Sequence, residues 1–388
     1  MDGKINRGFS LTELLVAMAV GAVVLTGATQ LFKSGMDATV SVTQRGEMEE
    51  NVRAALNLVA RDASMAGSGL PSGGLTLPYG GASNGVSLIG VDQNAKTWIN
   101  ANQYISGNVG TPPIAFSNYM FGVIPRPANG MEKGGPVSVP AMAASGVLPD
   151  SATFIYVDYS FPLNQYIVTF PDNTGTSINV APPAVPPPNF PAILSPNGIV
   201  VGDLILLTNP TGSAIGEVTG INPGGTVLTF ANLDPLNINQ SGAASGNIKY
   251  IDPCSAAGGC TGSAPPLLPP NTTTVAYRVY AVTYFLEVPA AAGQTPRLMR
   301  QVNSQPAIPV ADNIIAMQIT YDMCTAVVVA GCSGQSNPIA AGYSPNQIEK
   351  ANITMTGQSV TNYGNKSKSI AISTSVSTRN LTFTNRYQ

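Results

Sequence analysis

Residues 1–32 read MDGKINRGFSLTELLVAMAVGAVVLTGATQLF, and this stretch decides the architecture of the chain. Residues 1–8 are polar and carry Lys4 and Arg7, whereas residues 9–32 contain one charged residue, Glu13. A helix over 9–32 would be about 36 Å long, enough to cross a hydrocarbon core of roughly 30 Å. The apolar run is not followed by a small-residue cleavage site of the conventional secretory type. We therefore expect a single-pass membrane helix, with the basic leader cytoplasmic and the C-terminal part exported.

The junction Arg7-Gly8-Phe9-Ser10-Leu11-Thr12-Glu13 resembles the processing motif of type IV prepilins and of type II secretion pseudopilins. The resemblance implies that a prepilin peptidase cuts after Gly8, that the new N-terminal Phe9 is N-methylated, and that Glu13 becomes the fifth mature residue. A lone carboxylate in an apolar helix costs a few kcal/mol unless it finds a partner. The Phe9 amine of a neighbouring subunit is such a partner, so we expect Glu13 to fix the stagger of helices in a filament. The alternative is an ordinary signal anchor with a glutamate near the interface.

The helix is expected to continue beyond the apolar run to about Ala66. No proline occurs before Pro71, and apolar side chains recur at three- and four-residue intervals at Met48, Val52, Leu56, Val59 and Ala63. Gly67 and Gly69 supply the left-handed conformation that commonly ends a helix. This apolar stripe predicts packing of the helix on the rest of the chain, with a separate partner-binding face as the alternative.

The remainder of the chain is predicted to be rich in β-structure. It holds most of the 40 Gly and 32 Pro, which favours short strands joined by turns. Alternating patterns predict strands near residues 152–159, 165–170, 199–208, 213–230, 274–288, 313–322, 348–356 and 367–384. We therefore predict an α+β fold in which a leader (1–8) precedes a long helix (9–66, transmembrane over 9–32), packed on one loop-elaborated, extracellular β-rich domain (67–388).

Three further stretches resemble PilW-like minor pilins. Residues 53–67 (RAALNLVARDASMAG) are similar to the helix end of that group and of J-type pseudopilins, which are related proteins of type II secretion. Residues 297–322 resemble the late strands of PilW-like proteins, and Thr378-Arg379-Asn380-Leu381 resembles their C-terminal ending.

Four cysteines fall into two close pairs, Cys254 with Cys260 and Cys324 with Cys332. In an exported protein two local disulfides, Cys254–Cys260 and Cys324–Cys332, are the favoured connectivity, although four cysteines allow three pairings and unpaired thiols stay an alternative. A zinc site is disfavoured because the chain contains no histidine and neither pair has C-x2-C spacing.

The sequence carries no motif for catalysis or a cofactor. GASNG at 81–85 matches the G-x-S-x-G pattern around Ser83, but a nucleophile elbow needs a histidine base, which the chain lacks. Asp172-Asn173-Thr174-Gly175 and Asp312-Asn313 are explained as turns more simply than as calcium ligands. Carboxylates such as Asp158, Asp203 and Glu287 could form an acid pair in space, but their spacing does not predict one. We expect no enzyme, no cofactor and no metal.

Charge gives little support for nucleic-acid binding. The formal net charge is −2, without the polyelectrolyte character that many phosphate contacts require. The one basic-leaning region is near the C-terminus, where aromatic residues are interleaved, and a solvated strand face explains it better than a DNA-capturing patch. Its members are Lys350, Lys366, Lys368, Arg379 and Arg386, with Tyr363, Phe383 and Tyr387.

The resemblance implies a structural function, that of a minor pilin which primes assembly of a type IV pilus and stays at or near its tip. The implied partners are other minor pilins, the major pilin, the prepilin peptidase and the inner-membrane assembly platform. The implied location is the inner membrane before assembly and the periplasm or cell surface afterwards. Alternatives are a pseudopilin of a type II secretion system, and a pilus-tip adhesin or DNA-uptake module that works through loops at 70–150.

Overall fold

The computed structural model describes residues 10–71, 74–78, 86, 97–98, 119–127, 131–133, 149–172, 174–243, 246–252, 273–288, 296–323, 333–335, 338, 345–359, 368–378 and 380–381. It confirms the predicted α+β layout. A long apolar helix leads into antiparallel sheets, and the leader (1–8) and Phe9 lie outside the described residues.

Helix α1 spans Leu11–Met65 without interruption. Ser10 caps its N-terminus in an extended conformation, and no proline interrupts it. At the other end Gly67 adopts a φ of +81°, which a glycine tolerates best. The Gly67 N–H donates to the Ile155 carbonyl at 2.8 Å, so the end of the helix is bonded directly to a strand of the β-domain.

The described strands, in chain order, are β1 Leu75–Thr76, β2 Thr97–Trp98, β3 Tyr119–Met120, β4 Val123–Arg126, β5 Met131–Lys133, β6 Ser151–Asp158, β7 Ile167–Thr169, β8 Ser177–Ala181, β9 Leu204–Asn209, β10 Gly212–Glu217, β11 Gly220–Ile221, β12 Val227–Thr229, β13 Val275–Val288, β14 Arg297–Val302, β15 Ile308–Asp312, β16 Ile314–Met323, β17 Ser333–Gln335, β18 Ile348–Gln358 and β19 Ser369–Ser377. Three short helices complete them: Leu163–Gln165 and Pro345–Gln347, both 3-10, and α2, Ile248–Ile251.

The central sheet is organised around β13, whose 14 residues are mostly buried. One side of β13 pairs with β9 and then β14, and the other pairs antiparallel with β6 and parallel with β5. β10 and β15 extend this nine-stranded sheet outward. Because so many strands pair with β13, this long and mostly buried strand is the frame of the domain.

The C-terminal sheet has the order β17-β16-β18-β19, and α1 lies against β18 and β19. Helix residues Val52, Ala55, Leu56, Val59 and Ala63 are buried in one cluster with residues of β6, β13, β16 and β18. The stripe predicted to pack on the chain's own sheet therefore does so. Two further clusters fill the space around a small sheet, β11-β12-β8-β7, and beneath β9 and β10.

Every predicted strand region contains a strand, but some bounds differ. The region predicted as 213–230 is three short strands, because irregular residues at 218–219 and a turn at Asn222–Gly225 interrupt it. β8 was missed because it lies in a stretch dominated by Gly, Pro and Asn. The proline-rich stretch 181–191 lacks regular secondary structure beyond its first residue, because proline has no backbone N–H to donate.

Candidate functional site

The first half of α1 forms a bare apolar surface. Every residue from Leu11 to Met36 is exposed, and the most apolar 18-residue window has a mean hydropathy of 2.0 with none of it buried. By length and composition this part of the helix can cross a membrane. The apolar side chains have to be covered by lipid or by another protein, since water would make their exposure unfavourable. We call residues 11–36 the exposed segment.

Glu13 occupies the first turn of the exposed segment within a capping box. The Ser10 hydroxyl accepts from the Glu13 N–H at 3.3 Å, and Glu13 Oε2 accepts from the Ser10 N–H at 3.0 Å and from its hydroxyl at 3.1 Å. These hydrogen bonds use one carboxylate oxygen. Within the described chain, Oε1 therefore keeps its acceptor capacity for a donor from elsewhere.

The bond after Gly8 precedes the helix in the sequence. Ser10 is extended and the helix begins at Leu11, so the predicted cleavage position lies two residues before the cap. Gly8 and Phe9 themselves lie outside the described residues.

The opposite end of α1 is held to the β-domain by a buried carboxylate, that of Asp62, which is 2% exposed. Tyr156 Oη donates to its Oδ1 at 3.0 Å, and Tyr284 Oη donates to its Oδ2 at 2.5 Å. Arg300 Nε donates to the same Oδ2 at 3.0 Å and forms the ion pair. These partners come from β6, β13 and β14, so one helix residue is bonded to three strands. We call these four residues the Asp62 anchor.

The electrostatics of the anchor keep its two tyrosines neutral. Burial, followed by the charge of Asp62, raises the pKa of Tyr156 and of Tyr284 above the ordinary tyrosine value. Burial alone would lower the pKa of Arg300, but its hydrogen bond to Asp62 and the negative charge there raise it overall. The cluster therefore keeps one fixed ion pair and two phenol donors.

The anchor joins two of the stretches that resemble PilW-like proteins, because Asp62 belongs to 53–67 and Arg300 to 297–322. The third stretch lies nearby. A Cβ on Gly67 would come within 2.7 Å of the Leu381 side chain, and one on Gly122 within 2.5 Å of Gly67 Cα. Thr378 Oγ1 donates to the Ile348 carbonyl at 2.8 Å. Sequence reasoning did not predict that these three stretches meet around the end of α1.

We predict that Asp62→Ala lowers the free energy of unfolding by about 3 kcal/mol or more, because it removes the charge partner of Arg300 and the acceptor of two buried hydroxyls. Denaturation of the full chain in detergent micelles, followed by tryptophan fluorescence or circular dichroism, measures the effect. The control is Glu50→Ala on the exposed face of the same helix, expected to change stability by less than about 0.5 kcal/mol. Equal effects of the two substitutions would contradict the role of the anchor.

The dispersed carboxylates singled out in the sequence do not pair with one another. Arg278 lies between two of them, with Nη2 at 2.5 Å from Asp158 and Nη1 at 3.9 Å from Asp203. The same guanidinium donates to the Gly198 carbonyl and stacks over Phe161. The third carboxylate, Glu287, is bonded by Arg297 at 2.7 Å. Each is neutralised by an arginine, so this arrangement supports structure rather than acid–base chemistry.

An acid pair does form elsewhere, between Glu217 at the end of β10 and Asp234 in the following loop. Glu217 is 1% exposed, and its carboxyl hydrogen-bonds that of Asp234. Asp234 in turn accepts from the backbone N–H groups of Ile238 and Asn239, both at 2.8 Å. Burial, followed by the bond to Asp234, raises the pKa of Glu217. The pair ties the 232–240 loop to β10 and is shielded from solvent.

We predict that the pair makes stability fall as pH rises. Glu217 has a folded-state pKa above the ordinary 4.5, so the folded protein holds a proton that the unfolded chain releases. The stabilisation is complete below about 4.5 and is lost as pH rises towards the raised value. Glu217→Gln should flatten this dependence, whereas Glu50→Gln should leave it intact. Urea denaturation at about pH 5 and about pH 8 tests both, and an unchanged slope in Glu217→Gln would contradict the assignment.

The other candidates from the sequence are placed as follows. Asp172 accepts from the Thr174 N–H at 2.9 Å, as in the predicted turn. Of the basic-leaning region, Lys350 and Lys368 are described and lie on the C-terminal sheet, whereas Lys366, Arg379 and Arg386 lie outside the described residues. All four cysteines, and with them the predicted pairs Cys254–Cys260 and Cys324–Cys332, also lie outside, as does Ser83. Within the described part of the chain, no cluster of acidic residues has the arrangement of a metal site.

Comparison with known proteins agrees with the reading of the N-terminus. Residues 3–29 match the family described as the prokaryotic N-terminal methylation motif. The chain is 38% identical over 63 residues to pilin-like protein PilA3 of Thermus thermophilus, which covers 16% of this chain and 27% of that protein. The match thus spans about a quarter of the relative's length. No solved structure matches the chain. With its exposed apolar helix, its N-terminal methylation motif and its β-rich domain, this chain is similar to type IV prepilins.

Proposed function

We propose that the protein is a PilW-like minor pilin that primes assembly of a type IV pilus and sits at or near its tip. One observation carries the proposal: a fully exposed apolar helix segment with one acidic residue is joined, through a buried anchor, to a large β-domain. Such a segment suits transfer from lipid to a bundle of similar helices, since both environments cover the same apolar surface. We expect the protein to act by assembly and not as an enzyme.

The proposed mechanism begins with cleavage after Gly8, which would create an amine at Phe9 that is then methylated. Before assembly, the Ser10 N–H already satisfies one oxygen of Glu13. In a fibre the second oxygen would accept from the Phe9 amine of a neighbour, and this pairing would fix the axial stagger of adjacent helices. Repetition of a head-to-tail contact generates an open helix instead of a closed ring.

The position and partners follow from the same features. A subunit that retains Glu13 is expected to have a neighbour to pair with, so we place it just below the apex of the fibre. Its partners would be other minor pilins, the major pilin, the prepilin peptidase and the inner-membrane platform, with the N-terminus cytoplasmic before assembly. A pseudopilin of a type II secretion system would share the helix, but its globular part is usually smaller than the one that follows α1 here.

We predict that the mature chain begins at N-methylated Phe9. Sheared surface filaments, purified from the native host and analysed by mass spectrometry, should contain this polypeptide without residues 1–8. A chain in the filaments that still starts at Met1 would contradict processing. Recovery of the processed chain only with a secretion apparatus, and never with pili, would favour the pseudopilin alternative.

We predict that Glu13→Val leaves membrane insertion intact but lowers incorporation into filaments by about tenfold. The apolar segment still inserts, but the carboxylate that would pair with the Phe9 amine of a neighbouring subunit is lost. Membrane fractionation and quantitative mass spectrometry of filaments separate the two steps. Glu47→Val, the same change on an exposed part of α1 beyond the apolar segment, should incorporate normally. Normal incorporation of Glu13→Val would count against the assembly role of this carboxylate.

A further inference from the structure

β19 forms an outer edge of the C-terminal sheet and is paired on one side by β18. Its register with β18 is unbroken from Ser377, opposite Lys350, to Ser369, opposite Gln358. The strand has nine residues and contains neither proline nor a charged side chain. Among the described strands, β18 is the one that pairs with it.

The hydrogen bonds at the two ends of this pair show which backbone groups face outward. The Ser359 N–H donates to the Lys368 carbonyl at 2.8 Å, and the Thr378 N–H donates to the Glu349 carbonyl at 2.9 Å. In an antiparallel pair, alternate residues of a strand direct their N–H and C=O groups to the same partner. The even-numbered residues of β19 therefore bond to β18, and the groups that point to the open edge belong to Ser369, Ala371, Ser373, Ser375 and Ser377.

The open edge of β19 lacks the features that normally protect a strand edge. Proteins block such edges with short strands, prolines, bulges or charges, because unpaired N–H and C=O groups recruit another strand. Among the other outer strands, β15 contains Pro309 and pairs through a bulge at Leu298/Met299, β10 has six residues and ends at Glu217, and β7, β11 and β17 have three residues or fewer. β19 is longer, and the residues with outward backbone groups are all Ser or Ala.

We propose that β19 accepts an extended strand from a neighbouring, different pilin-like subunit, which adds to the C-terminal sheet through backbone hydrogen bonds. The inference rests on the proposed function and goes beyond it by naming a second contact surface. Backbone pairing supplies affinity in this mode, and side chains set selectivity. The small residues at the edge admit close approach of the added strand. The neighbouring surface is uncharged around Thr354 and Ser373, whose hydroxyls bond each other at 2.8 Å, so an uncharged strand fits it.

The position of β19 beside α1 points to a subunit of the same fibre as the occupant. Lys368, just before β19, hydrogen-bonds through its Nζ to Ser41 of α1, a few residues beyond the exposed segment. α1 also packs along β18 and β19. Subunits that pack through their exposed segments would bring a neighbour's β-domain alongside this edge.

A second copy fits the edge less well than a different subunit. Antiparallel pairing of two β19 edges requires a two-fold axis perpendicular to the strands. That axis would turn the α1 helices, which are fixed to the sheets, in opposite directions. Two helices that enter one membrane from the same side cannot be so arranged.

Site-specific photo-cross-linking in piliated cells tests the proposal. A diazirine amino acid at Ser373 should form a cross-link to another pilin-like subunit, identified by mass spectrometry. The control position is Thr320, which is exposed on the same sheet but lies on the inner strand β16, where it pairs with Asn352 of β18 and the next three residues pair with β17. Absence of a cross-link to a pilin-like subunit at Ser373, a cross-link of equal yield at Thr320, or a cross-link to a second copy or to another class of molecule would overturn the proposal.

Proline substitution gives an independent measurement. Ser373→Pro with Ser375→Pro removes two outward N–H groups and none that bonds to β18, so the sheet itself should persist. Co-purification with other pilin-like subunits should fall by about tenfold, the loss expected for two backbone hydrogen bonds. Ser373→Ala with Ser375→Ala keeps both N–H groups and should behave as the unaltered chain.

The outcomes separate this inference from the proposed function. If the unaltered chain enters pili and requires Glu13, while the proline pair co-purifies normally and Ser373 gives no cross-link, the edge contact is wrong and the minor pilin role stands. If the unaltered chain never enters a fibre, the proposed function is wrong, and the edge contact that rests on it is wrong as well.

Discussion

The structure depends on the bonding of one buried carboxylate, that of Asp62, to three strands. A buried charge is strongly destabilising without partners, so the helix is stable only where Tyr156, Tyr284 and Arg300 converge. A shift of α1 by one turn would move Asp62 by about 5.4 Å and separate its carboxylate from its three donors. Apolar contacts alone would tolerate an axial shift of α1 better than these directional hydrogen bonds do. The anchor thus fixes the axial position of α1 on the β-domain, and with it the height of the domain above the exposed segment.

The two halves of α1 satisfy different requirements within one continuous helix. The second half is covered by the chain's own sheets, with Val52 and Val59 fully buried. The first half is uncovered over 11–36, and most of its side chains are apolar. A helix of this kind is stable in lipid and in a bundle of similar helices. Its apolar side chains are covered in both environments, so transfer from one to the other changes the buried apolar area little. The energetic difference must then come from polar groups, of which Glu13 is the acidic one.

The sequence predicted the helix and the positions of the strands well because both depend on local periodicity. The stripe from Met48 to Ala63 and the alternation in 152–159 and 274–288 report directly which residues are buried. Strand pairing depends on contacts distant in the chain, so the central role of β13 and the open edge of β19 could not be read from spacing. Asp62 was missed for a related reason. It lies three residues after Val59, on the apolar face of the helix. An acidic residue at such a position indicates that a strand packed against the helix carries a buried cation or hydroxyl to pair with it.

Two contact surfaces, one at Glu13 and one at β19, would lie at different distances from the fibre axis. Together they would constrain a neighbouring subunit more than either does alone. Pairing at Glu13 fixes the stagger of two helices but leaves each free to rotate about its own axis. An added strand at β19 would remove that rotation, because hydrogen bonds of a sheet are directional and their register is set residue by residue. The Asp62 anchor fixes the β-domain on α1 and so holds the two surfaces at a fixed separation. Formation of the first contact would therefore raise the effective concentration for the second. A partner whose strand lies at the wrong height for β19 could not satisfy both contacts at once, and selectivity among subunits with similar helices would follow from this geometry.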